Sequence, residues 1–96
     1  MQAIEDPRIN IIKNIAMHQL QQTRVKRVII RKDEKLFYIE LWIDISNVNT
    51  ISLWRLISLE DKIAEVLKLK YLTSHSRLGI IDNRTLKALF IYRMTK

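Results

Sequence analysis

The stretch from Arg24 to Ser46, RVKRVIIRKDEKLFYIELWIDIS, constrains the fold more than any other part of the chain. Apolar and polar residues alternate on both sides of a single polar break, KDEK at residues 32–35. Alternation with a period of two is typical of strands that bury one face. The stretch therefore predicts a two-stranded antiparallel hairpin, with strands at residues 24–32 and 36–46.

The polar break also sets the register of this hairpin. A turn centred on Asp33-Glu34 places Val28 opposite Ile39 and Ile30 opposite Phe37, so apolar side chains meet on one face. The other face then pairs Arg27 with Glu40, Ile29 with Tyr38 and Val25 with Trp42. A shift by one residue would turn the arginines of the first strand into the core, so the buried face is well specified.

A helix is predicted before the hairpin. Asp6 can act as its N-cap, and Pro7 can occupy the first helical position, where the missing N–H is not needed. Isoleucine, alanine and leucine then recur every three or four residues as far as Leu20, which is typical of a helix with one buried stripe. We expect a helix over residues 7–22, packed on the apolar face of the hairpin.

The chain after the hairpin starts with a turn by composition, at residues 46–50. Residues 51–57 alternate again, which predicts a third strand in a meander; a short helix capped by Thr50 is the alternative. Ser58 followed by Asp61 is typical of a helix start, because a hydroxyl can cap the free N–H groups and an acid suits the positive end of the helix dipole. We expect a helix over residues 59–72.

The C-terminal quarter fits two structures. Residues 73–82 form a polar loop by composition, and residues 78–95 can be a helix or a hairpin. Ala, Leu, Lys and Met favour the helix, whereas the Phe-Ile-Tyr run favours a strand, and the balance tips slightly to the helix. The sequence therefore predicts a single small α+β domain: an N-terminal helix on an antiparallel hairpin or meander of two or three strands, followed by one or two C-terminal helices.

The composition allows one core and excludes several kinds of site. At 96 residues and 48% hydrophobic, the chain can bury a single core. It has no cysteine, which excludes disulfides and thiolate metal sites, and one glycine, which excludes the glycine-rich phosphate loops. No apolar run could span a bilayer, and the N-terminus has no signal-peptide layout, so we expect a cytoplasmic protein with no membrane partner.

The charge balance indicates a polyanionic partner. The chain has 17 Lys and Arg against 10 Asp and Glu, a formal net charge of +7. Such an excess is typical of proteins that bind nucleic acid, although net charge also serves solubility. Six of these cations fall within residues 24–35, so the charge is concentrated on the predicted hairpin.

Basic and aromatic side chains share one face of that hairpin. Cations neutralise phosphates and flat rings stack on bases in proteins that bind single-stranded nucleic acid, and a basic ribbon can also enter a DNA groove. The predicted interface for DNA or RNA consists of Arg24, Lys26, Arg27, Arg31, Lys32, Lys35, Tyr38 and Trp42. Trp54 would join it if residues 51–57 formed the third strand.

The same aromatic residues allow a second interpretation. Tyr and Trp are enriched in cores and in protein interfaces, so Tyr38 and Trp42 could be covered by another element or by a second copy of the chain. The alternative function is then a protein-interaction module, or a homodimeric small subunit, that uses the Tyr38/Trp42 face.

No pattern in the chain predicts catalysis. His75 lies among hydroxyls and beside an arginine in TSHSR, but neighbours along a loop need not face one another. The acid-acid-lysine runs at residues 33–35 and 60–62 have the types that bind Mg²⁺, yet a turn tip and a helix start explain them. We expect a non-enzymatic protein without a cofactor or a metal.

Overall fold

The computed structural model describes residues 6–21, 23–46 and 51–95. In chain order the elements are α1 (Pro7–Gln19), β1 (Val25–Lys32), β2 (Leu36–Asp44), α2 (Leu53–Val66), β3 (Tyr71–Asp82) and β4 (Thr85–Met94). The strands form one antiparallel sheet in the order β1-β2-β4-β3. The α+β class and the N-terminal hairpin are confirmed. The described sheet has four strands, not the predicted two or three, and α2 lies between the two hairpins and is not C-terminal to the sheet. Residues 22 and 47–50, where a helix end and a turn are predicted, lie outside the described residues.

Both helices pack on the same face of the sheet and form one core with it. The buried core residues come from every element except β3: Ile12, Ala16, Leu20, Val25, Val28, Phe37, Ile39, Leu41, Ile43, Leu56, Leu59, Ile63, Ala64, Ala88, Phe90 and Tyr92. Burying one such large side chain contributes roughly 1.5–3 kcal/mol, so this layer dominates the stability. Among the described residues, neither helix is long and apolar enough to cross a membrane.

The first helix begins where the sequence indicates. The Asp6 carboxylate accepts a hydrogen bond from the Arg8 backbone N–H at 2.9 Å, and Pro7 is the first helical residue. The Arg8 guanidinium binds the same carboxylate, with Nη2 2.6 Å from Oδ2, and lies 5.6 Å from the ring centre of Phe37. The start of α1 is thereby tied to β2. The helix ends at Gln19, earlier than predicted.

The β1–β2 hairpin keeps its predicted faces, but its register is shifted by two residues. Val28 pairs with Leu41 and Ile30 with Ile39, whereas the predicted partners are Ile39 and Phe37. Because side chains alternate with a period of two, a shift by two residues leaves the same side chains buried. The predicted pairing is therefore wrong in detail, while the predicted core face is correct.

The turn explains the shift. The backbone N–H of Asp33 donates to the Leu36 carbonyl at 3.0 Å, so the loop is Glu34-Lys35, one residue later than predicted. The Asp33 carboxylate accepts hydrogen bonds from the backbone N–H groups of Leu36 at 3.0 Å and Lys35 at 3.3 Å. An aspartate that binds the backbone ahead of it stabilises a turn in this way.

Residues 53–66 form α2, so the strand predicted at residues 51–57 is wrong. The helix predicted over residues 59–72 is correct in kind, but both of its predicted ends lie six residues too late. Leu56, Leu59 and Ile63 are buried at intervals of three or four residues, and this helical period runs through the predicted cap at Ser58. A stretch of seven residues is short enough to fit both the two-residue period of a strand and the 3.6-residue period of a helix. Packing on the core decides between the two structures. Trp54 lies on this helix, 77% exposed, and does not join the sheet.

The C-terminal residues form the β3–β4 hairpin, so the slightly favoured helix is wrong and the hairpin alternative is correct. The polar loop predicted at residues 73–82 belongs to β3. Ala88, Phe90 and Tyr92 are buried at every second residue of β4, which pairs with both β2 and β3. This long-range pairing outweighs local helix propensity. The Tyr92 hydroxyl donates to the Glu60 carbonyl at 2.6 Å, which connects β4 to α2.

Candidate nucleic-acid interface

The sheet face opposite the helices is accessible, and none of the described residues packs across it; we call it the open face. Its residues include Arg27, Ile29 and Arg31 of β1, Tyr38, Glu40 and Trp42 of β2, Lys87, Leu89, Ile91 and Arg93 of β4, and His75, Arg77 and Gly79 of β3. All of them are half-buried or exposed, whereas residues between them on β2 and β4 are fully buried.

The register arranges these side chains in rows across the four strands. The rows are Arg31–Tyr38–Ile91–His75, Ile29–Glu40–Leu89–Arg77 and Arg27–Trp42–Lys87–Gly79. Directly opposed residues lie close enough for their side chains to interact. The open face therefore has cations around a centre of aromatic and aliphatic side chains, with Glu40 among them.

A β-bulge in β1 brings Lys26 onto the open side. The pairing passes from Val25 opposite Ile43 to Arg27 opposite Trp42, so Lys26 is the extra residue. Strict alternation would point Lys26 at the core and Val25 outwards. With the bulge, Val25 is 9% exposed and Lys26 is exposed. The predicted pairing of Val25 with Trp42 is wrong because the register of the hairpin is shifted by two residues and the bulge then moves Val25 by one, to Ile43.

Two arginines of β1 lie over aromatic rings of β2. The Cζ of Arg27 is 5.2 Å from the ring centre of Trp42, and the Cζ of Arg31 is 5.7 Å from that of Tyr38. Such a contact stabilises by roughly 0.5–1 kcal/mol at an exposed site. A guanidinium that contacts a ring keeps its N–H donors for other acceptors.

The predicted pair of Arg27 with Glu40 does not form. The shifted register places Glu40 opposite Ile29, and its carboxylate accepts a hydrogen bond from Trp42 Nε1 at 2.7 Å. Among the described residues, the ion pair observed is the one at the start of α1, away from the open face. Within the described ranges, neither Arg27 nor Arg31 therefore has a carboxylate in direct contact.

The end of the open face near the β3–β4 turn is charge-balanced. Lys26 Nζ donates to Thr85 Oγ1 at 2.7 Å. Hydrogen bonds from Ser46 lower the pKa of Asp44, and the backbone hydrogen bond from Arg84 lowers the pKa of Asp82. The positive charge of Lys26 lowers the pKa of both aspartates further. Arg24 also acts on Asp44. Of the predicted binding residues, Arg24 and Lys26 thus have carboxylates nearby.

The hairpin tip lies at the other end of β1. Lys32 and Lys35 are exposed there, and a shallow depression is lined by Arg31, Lys32, Asp33 and Tyr38. The Asp33 carboxylate is occupied by the turn and also accepts from the Tyr38 hydroxyl at 3.4 Å. The tip therefore offers cations beside a ring, which suits a phosphate next to a base.

The second hairpin adds cations that lie outside the predicted interface. Arg77, Lys87 and Arg93 lie on the open face, with Lys87 directly opposite Trp42. The Lys87 stem lies over Gly79, since a Cβ built there would be 3.6 Å from Lys87 Cε. The available signal was the alternation within residues 85–94, which places Lys87 and Arg93 on one face if that segment is a strand.

His75 lies in β3, opposite Ile91, and not in a loop. Ser74 and Ser76 point to the opposite face, because neighbours alternate along a strand. The imidazole and the adjoining hydroxyls are therefore separated by the sheet. Over the residues whose positions are described, no three His, Cys, Asp or Glu side chains form a group that could hold a metal ion.

Comparisons of the chain with protein-family models, with curated proteins and with solved structures find no match.

Proposed function

We propose that this protein is a non-enzymatic nucleic-acid-binding protein whose open face binds single-stranded DNA or RNA. The observation that supports this is the pair of stacks Arg27–Trp42 and Arg31–Tyr38, whose guanidinium groups have no carboxylate partner among the described residues. Arginine N–H groups bind phosphate oxygens strongly, and bases stack on guanidinium planes as well as on rings. Each stack combines both functions.

The shape of the open face favours a single strand over a duplex. Because β2 is paired on both sides, the hairpin is part of a sheet and is not a free ribbon that could enter a groove. Ile29, Leu89 and Ile91 are half-exposed between the cations. Unstacked bases can contact such apolar side chains, whereas a duplex presents mainly phosphates to a flat surface.

The test compares two double variants that each remove two positive charges. Arg27→Ala/Arg31→Ala changes the open face, and Lys62→Ala/Lys70→Ala changes exposed cations on α2 and after it. Binding to oligothymidylate and to oligouridylate is measured by fluorescence anisotropy over a series of salt concentrations. We expect the arginine variant to bind more weakly. Its plot of the logarithm of the association constant against the logarithm of the salt concentration should be shallower by about 1.4, or about 0.7 per lost phosphate contact. The lysine control should retain the wild-type slope.

Two outcomes would contradict the proposal. One is the absence of binding by the wild type at low salt. The other is an equal loss of slope in both variants, which would attribute binding to net charge and not to the open face. The two oligonucleotides also distinguish DNA from RNA, because a hydroxyl contact at the ribose would make one of them bind more tightly.

The apolar centre of the open face supports the alternative function, a protein-interaction module or homodimer. Ile29, Leu89 and Ile91 would be covered in such a contact, with Tyr38 and Trp42 as anchors. In this case Trp42→Ser would convert an oligomer to a monomer in sedimentation velocity without nucleic acid. A wild-type protein whose oligomeric state is unchanged by Trp42→Ser excludes it.

A further inference from the structure

The two edge strands of the sheet are protected to different degrees. β1 carries four cations and a bulge in eight residues: Lys26, Arg27, Arg31 and Lys32. Charged side chains and bulges on an edge discourage pairing with another chain. β3 has twelve residues with a single Lys or Arg, and its irregularities lie near its ends, so residues 73–80 pair regularly with β4. The β1 edge is protected and the β3 edge is not.

The free edge of β3 combines unpaired backbone with exposed apolar side chains. No strand of the described chain pairs with its outer side. Ile80 is 80% exposed and Leu78 48% exposed, both on the helix side of the sheet, where no core residue covers them. A row of free N–H and C=O groups flanked by apolar side chains is suited to the addition of another strand.

We propose that β3 pairs antiparallel with β3 of a second copy of the chain and so doubles the four-stranded sheet in a two-fold symmetric dimer. Directly opposed side chains share a face in an antiparallel pair, so the symmetry axis between two identical strands passes midway between the two copies of one residue. An axis at Gly79 places Leu78 opposite Ile80 of the partner subunit, and this contact occurs twice. The same register brings Arg77 close to Asp82 of the partner subunit, which pairs opposite charges.

Symmetry also determines how the two open faces are arranged. The two-fold axis that relates antiparallel neighbours is normal to the sheet, so both open faces lie on one side and all helices lie on the other. The dimer rests on the edge of β3 and does not depend on the proposed function. Strand pairing of this length gives an interface below about 1,200 Å², typical of weak complexes, so we expect dissociation at micromolar concentration.

A single cysteine can test the register, because the chain has none. Gly79→Cys places the thiol on the proposed axis, where paired Cα atoms about 4.5–5.5 Å apart allow a disulfide. The new Cβ fits, since its nearest neighbour is Lys87 Cε at 3.6 Å and Gly79 has no positive φ. Thr73→Cys is the matched control on the same edge, with its thiols roughly 40 Å apart in the dimer. We expect rapid disulfide dimer formation from Gly79→Cys alone; no excess over Thr73→Cys would overturn the register.

A second measurement tests the pairing of the two β3 strands without a disulfide bond at the symmetry axis. Ile80→Lys adds a charge to the edge without removing a core residue, and Trp54→Lys changes a side chain of similar exposure on α2. Sedimentation velocity at increasing protein concentration, with nucleic acid absent, should give a dimer for the wild type and Trp54→Lys and a monomer for Ile80→Lys. A wild-type protein that stays monomeric throughout, or a dimer that survives Ile80→Lys, contradicts the proposal.

Discussion

Glu60 is a buried carboxyl group whose hydrogen bonding is incomplete. It is 8% exposed, and its Oε1 has no hydrogen-bond partner among the described residues. Burial raises the pKa of this carboxyl above its ordinary value, and the charge of Asp61 raises it further. The folded protein therefore favours the protonated form of Glu60 relative to the unfolded chain.

Glu60→Gln should stabilise the protein at neutral pH. Between the unfolded and folded pKa values of Glu60 the folded state binds more protons, so the wild type loses stability as pH rises through that interval. The amide has no such dependence, and we expect it to raise the free energy of unfolding by about 1 kcal/mol near neutral pH. The gain should disappear below the unfolded pKa of about 4.3. Urea unfolding over a pH series checks this, with Glu65→Gln as the exposed control on α2; a gain that is equal at every pH would contradict it.

The turn of the first hairpin decides the register between β1 and β2, and with it which side chains of these two strands meet on the open face. Asp33→Ala removes the acceptor of two backbone N–H groups, and we expect it to lower the free energy of unfolding by about 0.5–1.5 kcal/mol. Glu34→Ala is the matched control, because it removes the same charge from the neighbouring loop position. Chemical denaturation compares the two, and a similar loss in both would mean that charge, not turn geometry, is responsible.

The faces of the first hairpin could be predicted from the sequence, whereas its partners could not. Alternation is a local property, so it correctly places Arg27, Arg31, Tyr38 and Trp42 on one face. The pairing depends on where the turn closes, and the carboxylate of Asp33 moves that point by one residue. The lost Arg27–Glu40 pair and the gained Arg27–Trp42 stack both follow from this small change.

The described elements form an α-β-β unit that occurs twice, with β2 and β4 paired at the centre of the sheet. No repeat in the sequence reveals the second unit. Its strands were difficult to predict because their partners are distant in sequence, and long-range pairing overrides local propensity. The open face is assembled from both units, so the cations Arg77, Lys87 and Arg93 became apparent only with the fold.

The open face and the free β3 edge together predict how affinity depends on the length of the nucleic acid. In the dimer both open faces lie on the same side, so one long strand can contact both, and the second contact is effectively intramolecular. We expect an oligothymidylate of about 16 nucleotides to bind the wild type much more tightly than one of about 8. In Ile80→Lys, the increase in affinity from the short to the long oligonucleotide should shrink to the small factor that arises because a longer strand offers more positions at which one open face can bind. The affinity for the short oligonucleotide should stay unchanged. Anisotropy titrations of both lengths with both proteins measure this. If affinity rises with oligonucleotide length as much in Ile80→Lys as in the wild type, the β3 dimer does not contribute to nucleic-acid binding. The open face of a single chain would then be the complete binding site.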